Sequence, residues 1–346
     1  MGKRECLCFF MLPIGVVIPT KNSMGYLPGH VENLSTWIDL AEQVVVVDSF
    51  STDGSVDYLK KHLAHPQIQF VSHPPGLYAS WNYGISKITS EFCYLSTVGD
   101  SITRTGLEHL AQAALKLQCD VLVSRPDFVN EAGQPCAGPE WPMDEVIRCL
   151  GLQEPARLPS SLLVATALLH TGGAITGSCA SDLFRTAVLQ KYPFPLNFGK
   201  AGDGAWSLQN AGRVHWAVTP EKMTFFRYHP TMASAAEAKA GEVTNQFAAM
   251  AGKMVAEWLE ANAEQVSSEV CKNISQLLSL SIQLAAARRS YNVFRKNIWP
   301  WYLNPVAWRT RAWRNKIKLE ASQVAQKICL PHRNSPCHPL PTPQYS

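Results

Sequence analysis

The chain has 346 residues, of which 46% are hydrophobic, enough to form one large folded domain or two smaller ones. Only 17% of the residues are charged and the formal net charge is +4, so the composition excludes a disordered chain and does not favour nucleic acid as a partner. The ten cysteines lack the spacing of a zinc site or a disulfide framework, which indicates reduced thiols in a cytoplasmic protein.

An N-terminal extension, residues 1–13, has a basic start and an apolar run that is shorter than the core of a full signal peptide. Short apolar stretches then alternate with stretches of helical spacing. Strands are predicted at Ile14–Pro19, Val44–Val47 and Ile68–Ser72, and helices at Val31–Ala41 and Val56–His62. This β-α-β-α-β order predicts an α/β fold with a mostly parallel sheet.

The alternation continues along the chain as far as residue 232. Further helices are predicted at residues 78–88, 105–117, 182–191 and 205–211, and further strands at 92–96, 121–124, 213–218 and 223–229. Residues 125–160 contain six prolines and few periodic apolar residues. They are predicted to form a long irregular segment, which is uncommon unless it acts as a lid or a binding loop.

The C-terminal third has a different pattern. Residues 233–320 are predicted to be helical, and residues 321–346, which end in a proline-rich stretch, to be a disordered tail. Residues 299–318 combine four tryptophans with basic residues. This combination fits either peripheral contact with a membrane surface or packing of the tryptophans against the rest of the protein. No apolar run reaches about 18 residues, so no membrane-spanning helix is expected.

Three aspartates follow predicted strands or the turns after them. In an open parallel sheet the loops at the carboxyl ends of the strands line the ligand crevice, so Asp48, Asp53 and Asp100 are expected to share one cleft. Asp48 could accept hydrogen bonds from a nucleotide or close a turn, whereas Asp53 lies in a sequence suited to helix capping. Asp100, which follows Gly99, could bind a divalent cation.

Two later residues are also candidates for chemistry. Asp203 lies between two glycines that would let a substrate approach, and it could act as a general base or cap a helix. His229 could contact a metal or a phosphate, or it could be a structural histidine. The sequence has no GxGxxG, Walker or GxSxG motif, which argues against Rossmann cofactors, P-loop NTPases and serine hydrolases.

The order of these elements resembles that of the family-2 glycosyltransferases, which have the GT-A fold. Val17-Ile18-Pro19-Thr20-Lys21-Asn22 looks like the first strand and loop of that family. The stretch from Val45 through Asp48 and Asp53 to Ser55 looks like its nucleotide-binding strand and turn. Four shorter stretches are similar to later family motifs: Gly76–Ile85, Thr97–Asp100, Gly202-Asp203 and Phe226–Pro230.

The resemblance implies a three-layer GT-A domain over residues 14–232, with residues 125–160 on the acceptor side. It implies inverting transfer from a nucleotide-diphosphate sugar, above all a UDP-sugar, to a hydroxyl of a glycan, lipid-linked or protein acceptor. Asp203 would be the general base, and Asp100 with His229 would hold a divalent cation, Mn²⁺ or Mg²⁺. The implied substrate-binding residues are Pro19, Thr20, Asn22, Asp48, Asp53, Asn82, Gly99, Asp100 and Arg227.

Three positions depart from the family pattern. Thr97 and Gly99 stand where carboxylates are common, and Gly202 stands where a glutamate is common. Since one carboxylate is a poor divalent site, Lys21 and Arg227 are alternative contacts for the diphosphate. The reduced motifs leave open a non-catalytic relative that binds nucleotide sugars. A nucleotidyltransferase is disfavoured, because no glycine-rich phosphate loop follows the first strand.

Overall fold

The computed structural model describes residues 11–63, 65–138, 140–171, 173–227, 240–297 and 305–332. His229, Trp299 and Trp301 lie outside these residues. The strands are β1 (Leu12–Thr20), β2 (Ala41–Asp48), β3 (Ile68–Ser72), β4 (Phe92–Leu95), β5 (Ser101–Ile102), β6 (Val121–Val129), β7 (Ala156–Arg157), β8 (Leu183–Arg185) and β9 (Trp216–Arg227). The helices are α1 (Leu27–Ser35), α2 (Ser55–His62), α3 (Leu77–Ile85), α4 (Arg104–Leu117), α5 (Pro142–Leu150), α6 (Ser160–Leu169), α7 (Thr186–Lys191), α8 (Gly202–Asn210), α9 (Ala240–Asn262), α10 (Ser268–Asn297) and α11 (Pro305–Cys329).

Contacts within the chain define two compact units. Unit 1 lies within residues 1–139, 178–196 and 221–229, and unit 2 lies within residues 140–177, 197–220 and 230–346. Each unit is therefore built from three separate stretches of sequence.

Unit 1 is built on a mixed, mostly parallel sheet, as the sequence predicted. The neighbours run in the order β3-β2-β1-β4-β8-β6-β9-β5. Strands β1 to β4 are parallel to one another, whereas β8 is antiparallel to both β4 and β6. The four valines Val44–Val47 are fully buried, because helices cover a parallel sheet on both faces. Gly84 of α3 lets this helix pack closely on β1, since a Cβ atom there would lie 2.5 Å from Cγ1 of Val17.

Unit 2 is mainly helical and is organised around α6, whose residues from Ser161 to Leu168 are all buried. A helix that is apolar on every side needs neighbours on every side. Helices α5, α8, α10 and α11 pack against it. From α9, the indole nitrogen of Trp258 donates a hydrogen bond to Oγ of Ser160 at 3.0 Å.

The segment 125–160 is more regular than the sequence predicted. Strand β6 continues to Val129, helix α5 spans Pro142–Leu150, and the short strand β7 follows. Proline is compatible with the first turn of a helix, because the missing N–H would have no partner there. The side chain of Asp144 also accepts a hydrogen bond from the backbone N–H of Trp141, which completes the start of α5.

Two other stretches differ from their predicted elements. The predicted helix 182–191 begins as strand β8, because residues 183–185 add to the sheet before α7 starts. The two strands predicted at 213–218 and 223–229 form the single strand β9 as far as the described residues reach. On one side β9 pairs with β7 before Pro220 and with β5 after it, so Pro220 lies outside both of these ladders. Its neighbour on the other side is β6.

The predicted tail, residues 321–346, starts with ordered helix. Helix α11 runs to Cys329 and a short 3₁₀ turn follows to His332; residues 333–346 lie outside the described residues. Residues 321–329 are helical because Ala321, Val324 and Ile328 recur at helical spacing and form a buried apolar face.

A disulfide joins Cys149 of α5 to Cys329 of α11, so the prediction of reduced thiols was wrong for these two cysteines. Within the described residues, the other five cysteines form no disulfide: Cys93, Cys119, Cys136, Cys179 and Cys271. None of the helices described here combines the length and the apolar character required to cross a bilayer.

Candidate functional site

The first two parallel strands bring two of the predicted site residues to the same edge of the sheet. Thr20, the last residue of β1, is the ladder partner of Asp48, the last residue of β2. The backbone N–H of Ser49 donates to the carbonyl oxygen of Thr20 at 2.9 Å, which carries the pairing one step beyond the strands. Pro19 and Val47 are partners one position earlier in the ladder.

The side chains of Thr20 and Asp48 are both buried at this edge. The hydroxyl of Thr20 has no hydrogen-bond partner among the described residues, which is unusual for a buried polar group. Both carboxylate oxygens of Asp48 accept the backbone N–H of Ser51, at 3.2 and 3.1 Å. A carboxylate has about four acceptor positions, so the Asp48 side chain can accept further hydrogen bonds.

Asp53 fastens the loop after β1 to the start of α2. Its Oδ2 accepts the backbone N–H of Met24 at 2.9 Å, and its Oδ1 accepts the N–H and the hydroxyl of Ser55 at 3.1 and 2.5 Å. Burial of the carboxyl opposes ionisation, but the hydrogen bonds from Ser55 and Met24 hold the pKa of Asp53 below its usual value. The geometry therefore gives Asp53 a structural role, and its contact with a substrate stays a prediction.

Asn22 also connects the loop after β1 to the stretch between β2 and α2. Its side-chain oxygen accepts the backbone N–H of Thr52 at 2.8 Å, and its own N–H donates to Oγ of Ser51 at 2.9 Å. Asn22 has a φ of +47°, a left-handed conformation that asparagine tolerates better than most residues. The loop beside Thr20 is thus held rigidly.

Asn82 makes a different contact from the one predicted for it. Its side-chain nitrogen donates to the carbonyl oxygen of Phe194 at 2.9 Å, and its side-chain oxygen accepts the N–H of Phe194 at 3.0 Å. This pair of bonds attaches α3 to the stretch after α7. Substrate binding by Asn82 stays a prediction.

Asp100 is surrounded by hydrogen-bond donors in the loop after β4. Its Oδ2 accepts the hydroxyl of Thr97 at 2.7 Å, its Oδ1 accepts the backbone N–H of Arg227 at 3.1 Å, and the side chain of Ser178 is a third partner. Burial of the carboxyl nevertheless raises the pKa of Asp100 to about 6. Gly99, with a φ of +108°, provides the turn that brings Asp100 into this position.

Arg227, at the end of β9, braces two loops. Its Nε donates to the carbonyl oxygen of Gly99 at 3.2 Å, and its Nη1 donates to the carbonyl oxygen of Glu131 at 2.6 Å. These acceptors are neutral backbone oxygens, and the carboxylate that interacts electrostatically with the guanidinium is that of Asp100. The structure therefore holds a positive charge next to the Thr97–Asp100 loop, while Lys21, the other predicted phosphate contact, is exposed on the loop after β1.

Asp203 lies in the first turn of α8 in unit 2 and is half-buried. Its Oδ1 accepts the backbone N–H of the next residue, Gly204, at 2.7 Å. A Cβ atom on Gly204 would lie 3.2 Å from the backbone carbon of Gly173, so a glycine lets α8 approach that stretch closely. The N-terminus of a helix favours a negative charge, which suits a carboxylate that must be ionised to accept a proton.

Residues 15–167 match the family model described as glycosyl transferase family 2. Residues 15–167 therefore form part of a family-2 glycosyltransferase domain. A search of curated proteins finds no match to this sequence.

Solved structures support the GT-A fold of this glycosyltransferase. The structure of S. aureus TarS residues 1–349 is similar over 92% of this chain and 90% of that chain, with 16% identity and a TM-score of 0.58. A structure of the same TarS fragment in complex with UDP-GlcNAc is similar over 91% of each chain, with 16% identity and a TM-score of 0.57. At this level of identity the similarity shows the fold.

The described residues of the glycosyltransferase do not fit a divalent cation. Nowhere in the described part of the chain do three histidine, cysteine, aspartate or glutamate side chains cluster as metal ligands would. Asp100 alone faces the Thr97–Gly99 loop with a carboxylate, and its oxygens already accept three hydrogen bonds. A hard cation needs several oxygen ligands, and the second ligand implied by the resemblance, His229, is outside the described residues.

Two residues near this edge were missed by the sequence analysis. Phe50, directly after β2, is 58% exposed and has a φ of +57°, a strained conformation for a bulky residue. His30 of α1 is buried beneath the Asp100 loop, and its Nδ1 donates to the carbonyl oxygen of Asp100 at 3.2 Å. Burial lowers the pKa of His30 to about 4, so the imidazole is neutral. The position of Phe50, an aromatic residue shortly after the aspartate that ends a strand, could have identified it from the sequence. No sequence pattern indicates His30.

Proposed function

We propose that this glycosyltransferase transfers a sugar from a nucleotide-diphosphate sugar to a hydroxyl group of a glycan, a lipid-linked or a protein acceptor. The observation that carries the proposal is the pairing of Thr20 with Asp48 at the carboxyl edge of the parallel sheet. A buried hydroxyl without a partner and a carboxylate with spare acceptor positions are suited to the hydroxyl and N–H groups of a nucleoside.

The donor nucleotide is a uridine diphosphate in this proposal. TarS, whose fold this chain shares, has been solved with UDP-GlcNAc and with UDP. Thr20 and Asp48 hold the nucleoside. The diphosphate is neutralised by Arg227, whose charge is held in place by Gly99 and Glu131, and by Lys21 on the neighbouring loop.

The transfer step is inverting and uses Asp203 as the general base. The acceptor oxygen attacks the anomeric carbon from the side opposite the diphosphate, and its proton passes to the Asp203 carboxylate. The bond between the anomeric carbon and the diphosphate oxygen breaks, and the nucleoside diphosphate leaves with the electron pair. Gly202 and Gly204, on either side of Asp203, have no side chains that would obstruct the acceptor.

One alternative has an observation in its favour. A relative that binds nucleotide sugars without turnover would tolerate an Asp100 carboxylate that is occupied by three hydrogen bonds, and the missing second acid at Gly202. The cytoplasmic location expected from the sequence stays a prediction. The Cys149–Cys329 disulfide is of a kind that persists mainly in oxidising compartments, so the location needs a direct test.

The test is turnover and binding with a panel of UDP-, GDP- and dTDP-sugars, in the presence of Mn²⁺, Mg²⁺ or EDTA. Asp203→Asn is compared with the wild type and with Asp57→Asn, an exposed aspartate of α2. We expect hydrolysis or transfer from a UDP-sugar that persists in EDTA, falls by about 100-fold or more in Asp203→Asn and is unchanged in Asp57→Asn.

Three outcomes would count against parts of the proposal. Loss of turnover in EDTA would show that a cation is required after all. Nucleotide binding without turnover, after candidate acceptors have been supplied, would favour the non-catalytic alternative. Failure of every donor to bind would remove the proposed function itself.

A further inference from the structure

Four large apolar side chains of α11 are exposed to solvent: Val306, Trp308, Trp313 and Leu319. Trp308 is 64% exposed and Leu319 is 61% exposed. From Ile317 onwards the helix has a buried side, formed by Ile317, Ala321, Val324 and Ile328, which packs within unit 2. The tryptophans of this region were candidates either for packing or for a membrane surface, and the exposure of Trp308 favours the second interpretation.

Two of these exposed side chains, Trp308 and Leu319, lie on one side of the helix, whereas Val306 and Trp313 fall nearer its buried side. At about 100° per residue, Trp308, Ala312 and Leu319 fall on one line, on the side opposite the buried residues Ile317 and Val324. We call Trp308, Ala312 and Leu319 the apolar stripe. The stripe is therefore directed away from the core of unit 2.

Basic side chains border the apolar stripe on both sides. Arg309 and Lys316 lie beside it in one direction around the helix, and Arg311 and Lys318 lie beside it in the other. No acidic residue occurs between Pro305 and Leu319; the first is Glu320. An apolar line between two basic borders is the arrangement of a helix lying in the plane of a membrane interface.

We propose that α11 docks the protein peripherally on an anionic lipid bilayer. Trp308 and Leu319 enter the boundary between headgroups and acyl chains. This boundary suits an indole, because its ring contacts the acyl chains while its N–H group remains hydrogen-bonded at the headgroups. The long aliphatic stems of the four basic side chains extend along the apolar surface and place their charges at the lipid phosphates. These residues are Arg309, Lys316, Arg311 and Lys318. The charge pattern selects an anionic surface over a neutral one.

The attachment of α11 to unit 2 supports this arrangement. The end of the helix is fixed by the buried residues Val324 and Ile328 and by the disulfide from Cys329 to Cys149. The helix would therefore lie flat on the lipid while its other side stays packed. This inference does not depend on the proposed donor or on Asp203.

The experiment measures binding of the whole protein to phosphatidylcholine vesicles with and without phosphatidylglycerol, by flotation at several salt concentrations. We expect binding at least about tenfold tighter to the anionic vesicles, weakening as salt is raised. In Trp308→Ser/Leu319→Ser, binding should fall by about tenfold or more, since the apolar stripe is lost. Thermal melting and nucleotide binding should be unchanged, because these side chains are exposed.

A matched pair of charge variants tests the basic borders. Arg309→Gln/Lys316→Gln should weaken binding to anionic vesicles by about tenfold. Lys253→Gln/Lys272→Gln removes the same charge from exposed positions on α9 and α10 and should have little effect. Equal binding to neutral and anionic vesicles, absence of binding, or equal loss in both charge variants would overturn the proposal. Binding to duplex DNA that is tighter than vesicle binding and lost in the same α11 variants would assign the surface to nucleic acid instead.

Discussion

Phe50 holds a left-handed backbone conformation and an exposed ring at the edge where Thr20 and Asp48 meet. Such a conformation costs of order 1–3 kcal/mol for a non-glycine residue and often occurs at functional sites. An aromatic ring there could stack on the base of the donor nucleotide. We expect Phe50→Gly to raise the thermal stability, because glycine adopts this φ freely, and to weaken nucleotide binding by about tenfold or more.

Melting curves and calorimetric titration with UDP would measure the two effects separately. Gln118→Gly is the matched control, because Gln118 has a φ of +48° at the end of α4, away from the sheet edge. It should gain stability without losing affinity. Unchanged nucleotide affinity in Phe50→Gly would show that the ring does not contact the donor.

The raised pKa of Asp100 gives a prediction about stability. Between its ordinary value of 3.8 and its folded value of about 6, the folded protein holds the proton and the unfolded chain releases it. The contribution of Asp100 to the free energy of unfolding is therefore largest below about pH 4, decreases as the pH rises to about 6, and is constant above. A shift of this size corresponds to about 3 kcal/mol.

Asp100→Asn removes this titration and keeps a side chain that can bond to Thr97 and to the N–H of Arg227. Urea unfolding of both proteins between pH 4 and pH 7 provides the measurement. The stability of the wild type relative to the variant should decrease with rising pH across that window. An increase would mean that the Asp100 carboxylate is stabilised in the folded state, as a metal ligand or a closer ion pair would make it.

At the scale of single elements, the sequence predicted what local periodicity determines. Four β-branched residues in a row at Val44–Val47 favour a buried strand, and the structure has β2 there. Helix α5 was missed although its start carries local signals, a proline in the first turn and Asp144. Strand β8 was not predicted because it depends on partners distant in sequence. Residues 183–185 become a strand because β4 and β6 lie on either side of them, and no local pattern shows this.

The disulfide between α5 and α11 links two elements that are 180 residues apart in sequence. Closing such a long loop restricts the unfolded chain strongly, and loss of a disulfide typically costs 2–5 kcal/mol. We expect Cys149→Ser/Cys329→Ser to lower the Tm, as should reduction of the wild type. The control is Cys136→Ser, which removes a free cysteine.

Thiol titration of the denatured protein checks the bond directly. At least two more thiols should react after reduction than before it, and this difference should be smaller by two in the double serine variant. Equal thiol counts with and without reductant would show that the two cysteines are reduced in the protein as isolated.

At the scale of the whole molecule, the candidate site was only partly predictable. The meeting of Thr20 and Asp48 follows from the rule that parallel strands end at the same edge, and this part was expected from the sequence. The contacts that saturate Asp100 come from Ser178 and Arg227, which lie far along the chain. They depend on three stretches of unit 1 that are distant in sequence coming together, which composition and periodicity do not encode.

The packing within unit 2 predicts the effect of truncation at residue 232, the end of the similarity seen in the sequence. Unit 2 would lose α9, α10 and α11, which include the packing partners of the fully buried helix α6. It would also lose Phe247, whose ring packs against Phe198 with centroids 5.1 Å apart. We expect a chain of residues 1–232 to be insoluble, or to lack a cooperative unfolding transition, because a wholly apolar helix would be exposed.

Soluble yield and circular dichroism melting measure this outcome. A chain of residues 1–332 retains every described element and is the control; it should be soluble and melt cooperatively. If residues 1–232 were soluble, with the Tm of the full chain, the C-terminal helices would not contribute to the stability of unit 2. In that case α6 would have to bury its apolar side chains against other residues, and the assignment of α9 to α11 to the core of unit 2 would be wrong.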